Sequence, residues 1–300
     1  MASGIHEKAV SGNHLYSNAE IDSIVLSILR EPTAFYSGSE EYVKCKAVLR
    51  QAIEKLYISD PAGRFSLGIL GDISFPSVSF GNIDTSHLFG IDELILFIFY
   101  WMNRNSYVSA LDLGANIGLH TILLSKFGYN VKSFEPDPDH IDILCKNINL
   151  NNCKNIEVFN KAVFLRNELR EFIRVKNNST GSHISGLKND VYGPIDTFSV
   201  ECVRFREIVP SHAVLIKMDI EGAEGDVICS TRKSDWFETD ILVEVGSPEN
   251  ANNIFRHLEN MGVNMFPQKN GWNKATNTAD LPINYLEGSL FLSLKERMPW

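Results

Sequence analysis

Apolar positions follow a helical rhythm in the first hundred residues and fall into short strand-like runs after them. Ile21, Ile24, Val25, Ile28 and Leu29 keep helical spacing up to Pro32. Ser17-Asn18-Ala19-Glu20, just ahead, has the form of a capping box. A second helix is predicted from about Glu40 to Tyr57, with Tyr42, Cys45, Leu49, Ile53 and Leu56 on one face. Pro61-Ala62-Gly63 is a turn, and Phe65 to Phe80 reads as short strands or irregular chain. Asp84-Thr85-Ser86 offers caps for a helix running through Asp92-Glu93 to Asn103. Its face of Leu94, Phe97, Ile98 and Trp101 needs a partner. Residues 1–105 are therefore expected to form a mainly helical extension over one edge and the mouth of a following domain, 106–300.

From Tyr107 onward, strand patterns alternate with helix patterns, as in a parallel sheet covered by helices. The predicted strands are Val108 to Leu113, Asn130 to Phe134, Asn155 to Phe159, Ala213 to Met218, Asp240 to Val245, Val263 to Phe266 and Ser289 to Leu294. Helices are expected over Leu119 to Phe127, Asp139 to Asn149 and Glu249 to Met261. Leu169 to Val175 and Ser199 to Val203 read as an inserted strand pair. The loop between them, Asn177 to Pro194, is a candidate lid.

The stretch Asp112-Leu113-Gly114-Ala115-Asn116-Ile117-Gly118 organises the rest: a strand, a glycine turn, then a helix. In doubly wound sheets, ligands bind beyond the carboxyl ends of the strands at such a turn. Glycine permits positive φ and removes the Cβ that would block a ligand. A dinucleotide fingerprint would be G-x-G-x-x-G, with a pyrophosphate on the helix N-terminus. Here the glycine triplet is missing and a carboxylate, Asp112, precedes the turn. That suits a cationic ligand without phosphate, such as S-adenosylmethionine. Glu135 ends the second strand, where an acid can accept both ribose hydroxyls; its position 21 residues after Gly114 fits a nicotinamide dinucleotide equally well.

Composition narrows the field. Apolar residues make up 44% of the 300, enough for a sizeable core. The net charge of −9 makes nucleic acid an unexpected partner. Five cysteines, odd in number and without a C-x-x-C, read as reduced thiols of a cytoplasmic protein. No signal peptide is read at the start, and the most apolar run, Leu94 to Met102, falls far short of the roughly 20 residues of a membrane span.

With these motifs together, the chain resembles the FkbM family of S-adenosylmethionine-dependent methyltransferases. The resemblance spans roughly Phe80 to Leu294. It rests on the Asp112–Gly118 stretch, on Phe134-Glu135-Pro136-Asp137-Pro138, and most specifically on Ile216-Lys217-Met218-Asp219-Ile220-Glu221-Gly222-Ala223-Glu224. It implies a Rossmann-like, class I methyltransferase fold: an α/β, seven-stranded, mostly parallel doubly wound sheet whose last strand is antiparallel. It also implies O-methylation of a hydroxyl on a sugar, glycan or natural product. Cofactor contacts are expected from Asp112, Gly114, Ala115, Asn116, Gly118, Glu135, Pro136, Lys161, Ala162 and Asp219, with the residues after the third strand at the adenine.

The candidate chemistry lies at the ends of later strands. Asp219 and Glu244 would face one cleft if their strands are adjacent, raising one carboxyl's pKa for general-base work or holding a divalent cation. No His/Cys ligand spacing indicates such a metal. His183, in the candidate lid, is a third candidate base. Asn116 could cap the helix or bind the cofactor, Glu221 could cap the next helix, and Glu224 could be an ion-pair partner. His120 could line the pocket or pack in the core; His140, His212 and His257 are expected on the surface. The rival readings are a non-catalytic nucleoside-binding protein with a regulatory or scaffolding role and, against the missing glycine triplet, a nicotinamide-dependent oxidoreductase.

Overall fold

The computed structural model of the chain describes residues 18–80, 83–176, 181–187 and 193–300. Its centre is a seven-stranded sheet. In chain order the strands are β1 (Ser109–Leu113), β2 (Asn130–Phe134), β3 (Ile156–Phe159), β4 (Val214–Met218), β5 (Thr239–Glu244), β6 (Asn264–Pro267) and β7 (Ser289–Ser293). Their spatial order is β3-β2-β1-β4-β5-β7-β6. All neighbours run parallel except β7, which is antiparallel to both β5 and β6. This is the expected class I methyltransferase sheet. The chain order reverses between β1 and β4, which is where a doubly wound sheet opens a crevice for a ligand.

Both faces of the sheet are covered, so the central strands are apolar almost throughout. Ala110, Leu215, Leu242, Phe266 and Phe291 pack in one core with the helices Ala19–Arg30, Glu40–Ser59, Ile91–Met102 and Leu119–Lys126. Leu111, Leu113, Ile216, Met218, Ile241 and Val243 pack on the other side with helix Pro248–Met261. The N-terminal helices thus cover a face of the sheet, sharing its core. Helix Ile91–Met102 is buried on nearly every side, from Leu94 through Tyr100. A fully buried apolar helix shows no clean amphipathic face, so its pattern could not tell which neighbours it would meet.

Several boundaries differ for local reasons. The first helix is capped by Asn18, whose side chain accepts from Glu20 N at 2.9 Å; Ser17 lies outside the described residues. The predicted single helix over 84–103 is broken: Thr85–Leu88 forms a tight turn capped by Asp84, and a new helix begins at Ile91 after Gly90. Arg64–Ser66 and Asp72–Ser74 pair as a small antiparallel hairpin.

The inserted strand pair is part of a second, four-stranded sheet ordered His183–Ile184, Glu168–Val175, Ile195–Arg204, Ala162–Phe164. Arg174 fastens it to the main sheet, donating to both oxygens of Asp137 at 2.6 and 2.5 Å. Asp137 also caps helix Pro138–Leu150. Within the candidate lid, residues 177–180 and 188–192 lie outside the described residues.

Candidate functional site

The glycine turn is built by backbone bonds to both neighbouring strands. Gly114 N and Ala115 N donate to Phe134 O, and Asp219 N donates to Leu113 O. Gly114 has φ +79°, and a Cβ there would lie 1.7 Å from Asp219 O. Only glycine lets the turn pass this close to the end of β4. Asn116, also at positive φ (+49°), donates its N–H to Glu135 Oε2 at 2.8 Å. Glu135 Oε1 accepts from Asp137 N at 2.9 Å. The acid ending β2 is thereby fixed by the turn after β1 and by its own following loop.

Around this turn lies a cavity of about 350 Å³, within the usual size of ligand sites. Gly114, Ala115, Asn116, Glu135, Pro136, Lys161, Ala162 and Asp219 line it, as does Glu244. Asp112 and Gly118 are not among the lining residues. Asp112 is fully buried beneath the turn: Thr121 Oγ1 donates to its Oδ2 at 2.5 Å, while Oδ1 has no hydrogen-bond partner and lies 3.9 Å from Lys217 Nζ. His183 is also buried, with Nδ1 2.8 Å from Gly181 O; its neighbours Ser182 and Ile184 reach the cavity wall.

Strand register explains which charges meet. Lys217 on β4 pairs with Asp112 on β1, and Met218 pairs with Val243 on β5, which brings Asp219 level with Glu244. Lys217 Nζ lies 3.3 Å from Asp219 Oδ2 and donates to Gly114 O at 3.3 Å. Burial works to lower the Lys217 pKa, but Asp219, Asp112, Glu93 and Glu244 outweigh it and hold the ammonium above its ordinary value. Burial, then the charges of Asp219 and Glu93, push the Glu244 carboxyl well above the usual carboxylate range.

Other expectations resolve differently. Asn116 does not cap the helix: Gly118 occupies that position, and Asn116 Oδ1 is buried with no partner. Glu221 lines the cavity at positive φ (+54°), while Ala223 precedes the short helix Glu224–Cys229. Glu224 accepts Ile220 N and Gly222 N at 2.8 and 2.9 Å, shaping the loop after β4 through backbone amides, and has no ion-pair partner among the described residues. His140, expected on the surface, is buried with Nδ1 3.6 Å from Glu135 Oε1. Burial works against its charge, but Glu135 outweighs that and raises its pKa. His212 is exposed and His257 half-buried.

Glu93, His120 and Lys217 also belong to the cavity wall, although no local signal in the sequence marked Glu93 or Lys217 for it. Glu93 and His120 line the cavity together, with His120 Nε2 2.8 Å from Glu93 Oε2. Lys217 was visible inside the Ile216–Glu224 motif, but nothing local marked its role. Among the described residues, no group of three or more His, Cys, Asp or Glu side chains is placed to hold a metal ion. Nor is any helix among them long and apolar enough to cross a membrane.

The site fits a methionine-bearing nucleoside. Gly114 lets the turn lie against the end of β4 beside the cavity, Asn116 Oδ1 is a buried acceptor with no hydrogen-bond partner, and carboxyl groups line the wall where positive charge would sit. Many solved structures resemble the chain. Precorrin-6y C5,15-methyltransferase from Geobacter metallireducens is 10% identical, with a TM-score of 0.34, over 64% of this chain and 82% of that one. Ribosomal protein L11 methylase from Lactobacillus delbrueckii is 11% identical, with a TM-score of 0.34, over 65% and 75%. A SAM-dependent methyltransferase from Agrobacterium tumefaciens is 9% identical, with a TM-score of 0.36, over 68% and 62%. At such scores the fold is defined by the strand order of the sheet itself, not by these likenesses. No curated protein sequence matches the chain. The profile of the methyltransferase FkbM domain matches residues 112–265, just over half of the chain. The chain therefore belongs to the FkbM methyltransferase family.

Proposed function

We propose that this methyltransferase moves a methyl group from S-adenosylmethionine to a hydroxyl of a sugar, glycan or natural-product acceptor. The observation that carries this reading is that Asp219 and Glu244 line the same cavity as the glycine turn and Glu135. Glu135 accepts the ribose hydroxyls. Pro136, Lys161 and Ala162 border the adenosine, and the Gly114–Asn116 backbone meets the methionyl part. Asp112 acts from below, holding Lys217 and the turn. When bound, the cofactor supplies an electrophilic methyl on a sulfonium.

A sugar hydroxyl is a weak nucleophile, so a nearby base must take its proton. Asp219, held by Lys217, orients the hydroxyl. Glu244, level with Asp219 at the end of the neighbouring strand, is the second carboxyl placed to take the proton as transfer proceeds. Because His183 is buried and does not line the cavity, the carboxylates are favoured over it as the base. In-line positioning supplies much of the remaining rate. The wall of carboxylates disfavours polyanionic acceptors, nucleic acid among them. The five free cysteines fit a reducing, cytoplasmic setting.

The test is incubation with S-adenosylmethionine and a panel of glycans, monosaccharides and hydroxylated natural products, scored by S-adenosylhomocysteine release. DNA and RNA run alongside. Methylation of a carbohydrate or natural-product hydroxyl supports the reading. Methylation of nucleic acid with none on these acceptors overturns it, and cofactor binding without turnover on any acceptor favours a regulatory or scaffolding role.

A further inference from the structure

Helix Ile91–Met102 opens with two acids, Asp92 and Glu93. Acids in a first turn ordinarily serve the helix dipole. Their side chains part company here. Asp92 is used in packing: Tyr42 Oη and Gln268 Nε2 each donate to it at 2.7 Å. Glu93 instead reaches the cavity wall, although it lies outside the segment matched by the family profile.

Glu93 is held there from the helix that follows the glycine turn. His120 Nε2 lies 2.8 Å from Glu93 Oε2, an ion-pair distance, yet that buried oxygen has no hydrogen-bond partner of its own. His120 is itself fixed, with Nδ1 3.0 Å from Tyr100 Oη and the rings of Phe97 and Tyr100 edge-on at 5.2 and 5.8 Å. Burial works to raise the Glu93 pKa, but His120 and Lys217 outweigh it, so the carboxylate stays charged. The nearby cation is already engaged: Lys217 Nζ serves Asp219 and Gly114 O. The other lining lysine, Lys161, is 2.9 Å from Glu201. Glu93, Asp219 and Glu221 outnumber the one lysine, Lys217, at this end of the cavity.

We propose that Glu93 receives the methionyl ammonium of the cofactor, so that the N-terminal segment completes the methyltransferase site, with His120 as its positioning residue. The proposal rests on the cofactor reading above. It places the ammonium beside the glycine turn, because His120 is the second residue of the helix beginning at Leu119.

Binding calorimetry with two ligands tests it. S-adenosylhomocysteine carries the ammonium, whereas 5′-methylthioadenosine shares the nucleoside and sulfur but lacks the amino-acid part. Glu93→Gln should weaken S-adenosylhomocysteine by roughly ten- to a hundred-fold, as for a lost hydrogen bond to a charged group. Its affinity for methylthioadenosine should stay that of the wild type, which also shows that the variant is folded. His120→Gln should give a smaller loss, again confined to S-adenosylhomocysteine. If Glu93→Gln does not fold, Glu93→Asp carries the same comparison, because it keeps the charge but withdraws it. Equal losses for both ligands, or none for S-adenosylhomocysteine, overturn the assignment while leaving the cofactor reading standing. A wild-type protein that binds neither ligand overturns that reading and this assignment with it.

Discussion

Asn116 N donates to Glu135 Oε2 at 2.8 Å, tying the crest of the glycine turn to the acid at the end of the second strand. The same carboxylate accepts Asp137 N, and it is only 5% exposed. A residue assigned to ribose binding is therefore also a structural clamp between two loops.

Glu135→Ala should act on both levels. Affinity for S-adenosylhomocysteine should fall by roughly ten- to a hundred-fold. The two backbone donors lose their acceptor, so stability should fall by about 1–3 kcal/mol as well. Calorimetry and urea denaturation read the two effects separately. Unchanged affinity alongside lost stability would leave Glu135 a clamp only.

Asp219→Asn keeps the shape at the end of β4 and removes the charge facing Lys217. Turnover should drop by about a hundred-fold or more, the cost of a reacting group held out of place. Binding of S-adenosylhomocysteine should change little. His183→Ala is the companion, expected to leave turnover near that of the wild type if the carboxylates perform the proton step. A normal rate with poor cofactor affinity in Asp219→Asn would move this residue into the cofactor site.

Glu224 makes stability depend on pH. Burial, then the charge of Asp219, push its carboxyl from the usual 4.5 up to about 7, against the pull of its backbone donors. The folded state then binds more protons than the unfolded one within that window. Its contribution is greatest below 4.5 and is lost as pH rises through about 7. The loss should be on the order of 3 kcal/mol across the window. Unfolding of the wild type and Glu224→Gln, followed from pH 4.5 to 7.5, should show a flatter profile for the variant. Parallel profiles would rule out this group as the source.

Gly114→Ala should be severe. The new methyl would meet Asp219 O, a backbone atom that cannot rotate away, at a φ of +79°. The strained backbone alone costs about 1–3 kcal/mol, and separating the turn from β4 adds to it. A large fall in melting temperature, with loss of S-adenosylhomocysteine binding in the protein that remains folded, is expected. A near-native Tm would mean that the two strand ends need not approach so closely.

Local patterns along the chain were enough to lay out the sheet and the glycine turn beside the cavity. Short apolar runs, glycines and terminal acids are local signals, and they placed β1 through β7, the glycine turn and Glu135 within a residue or two. Strand alternation likewise delivered Asp219 and Glu244 to one edge. Where long charged side chains end, and whether a polar residue on a helix faces solvent or core, depends on the packing of distant elements. Lys217 sits in an apolar strand, and its meaning comes from Asp112 and Gly114, which precede it by about a hundred residues. Glu93 was one residue inside a helix expected from Asp84, and His140 a surface histidine, until packing set them against His120 and Glu135. Periodicity records which positions are buried, but a buried charge is tolerated only through partners brought by other elements. That pairing is fixed by the crossing of strands and helices, not by the spacing of residues along the chain.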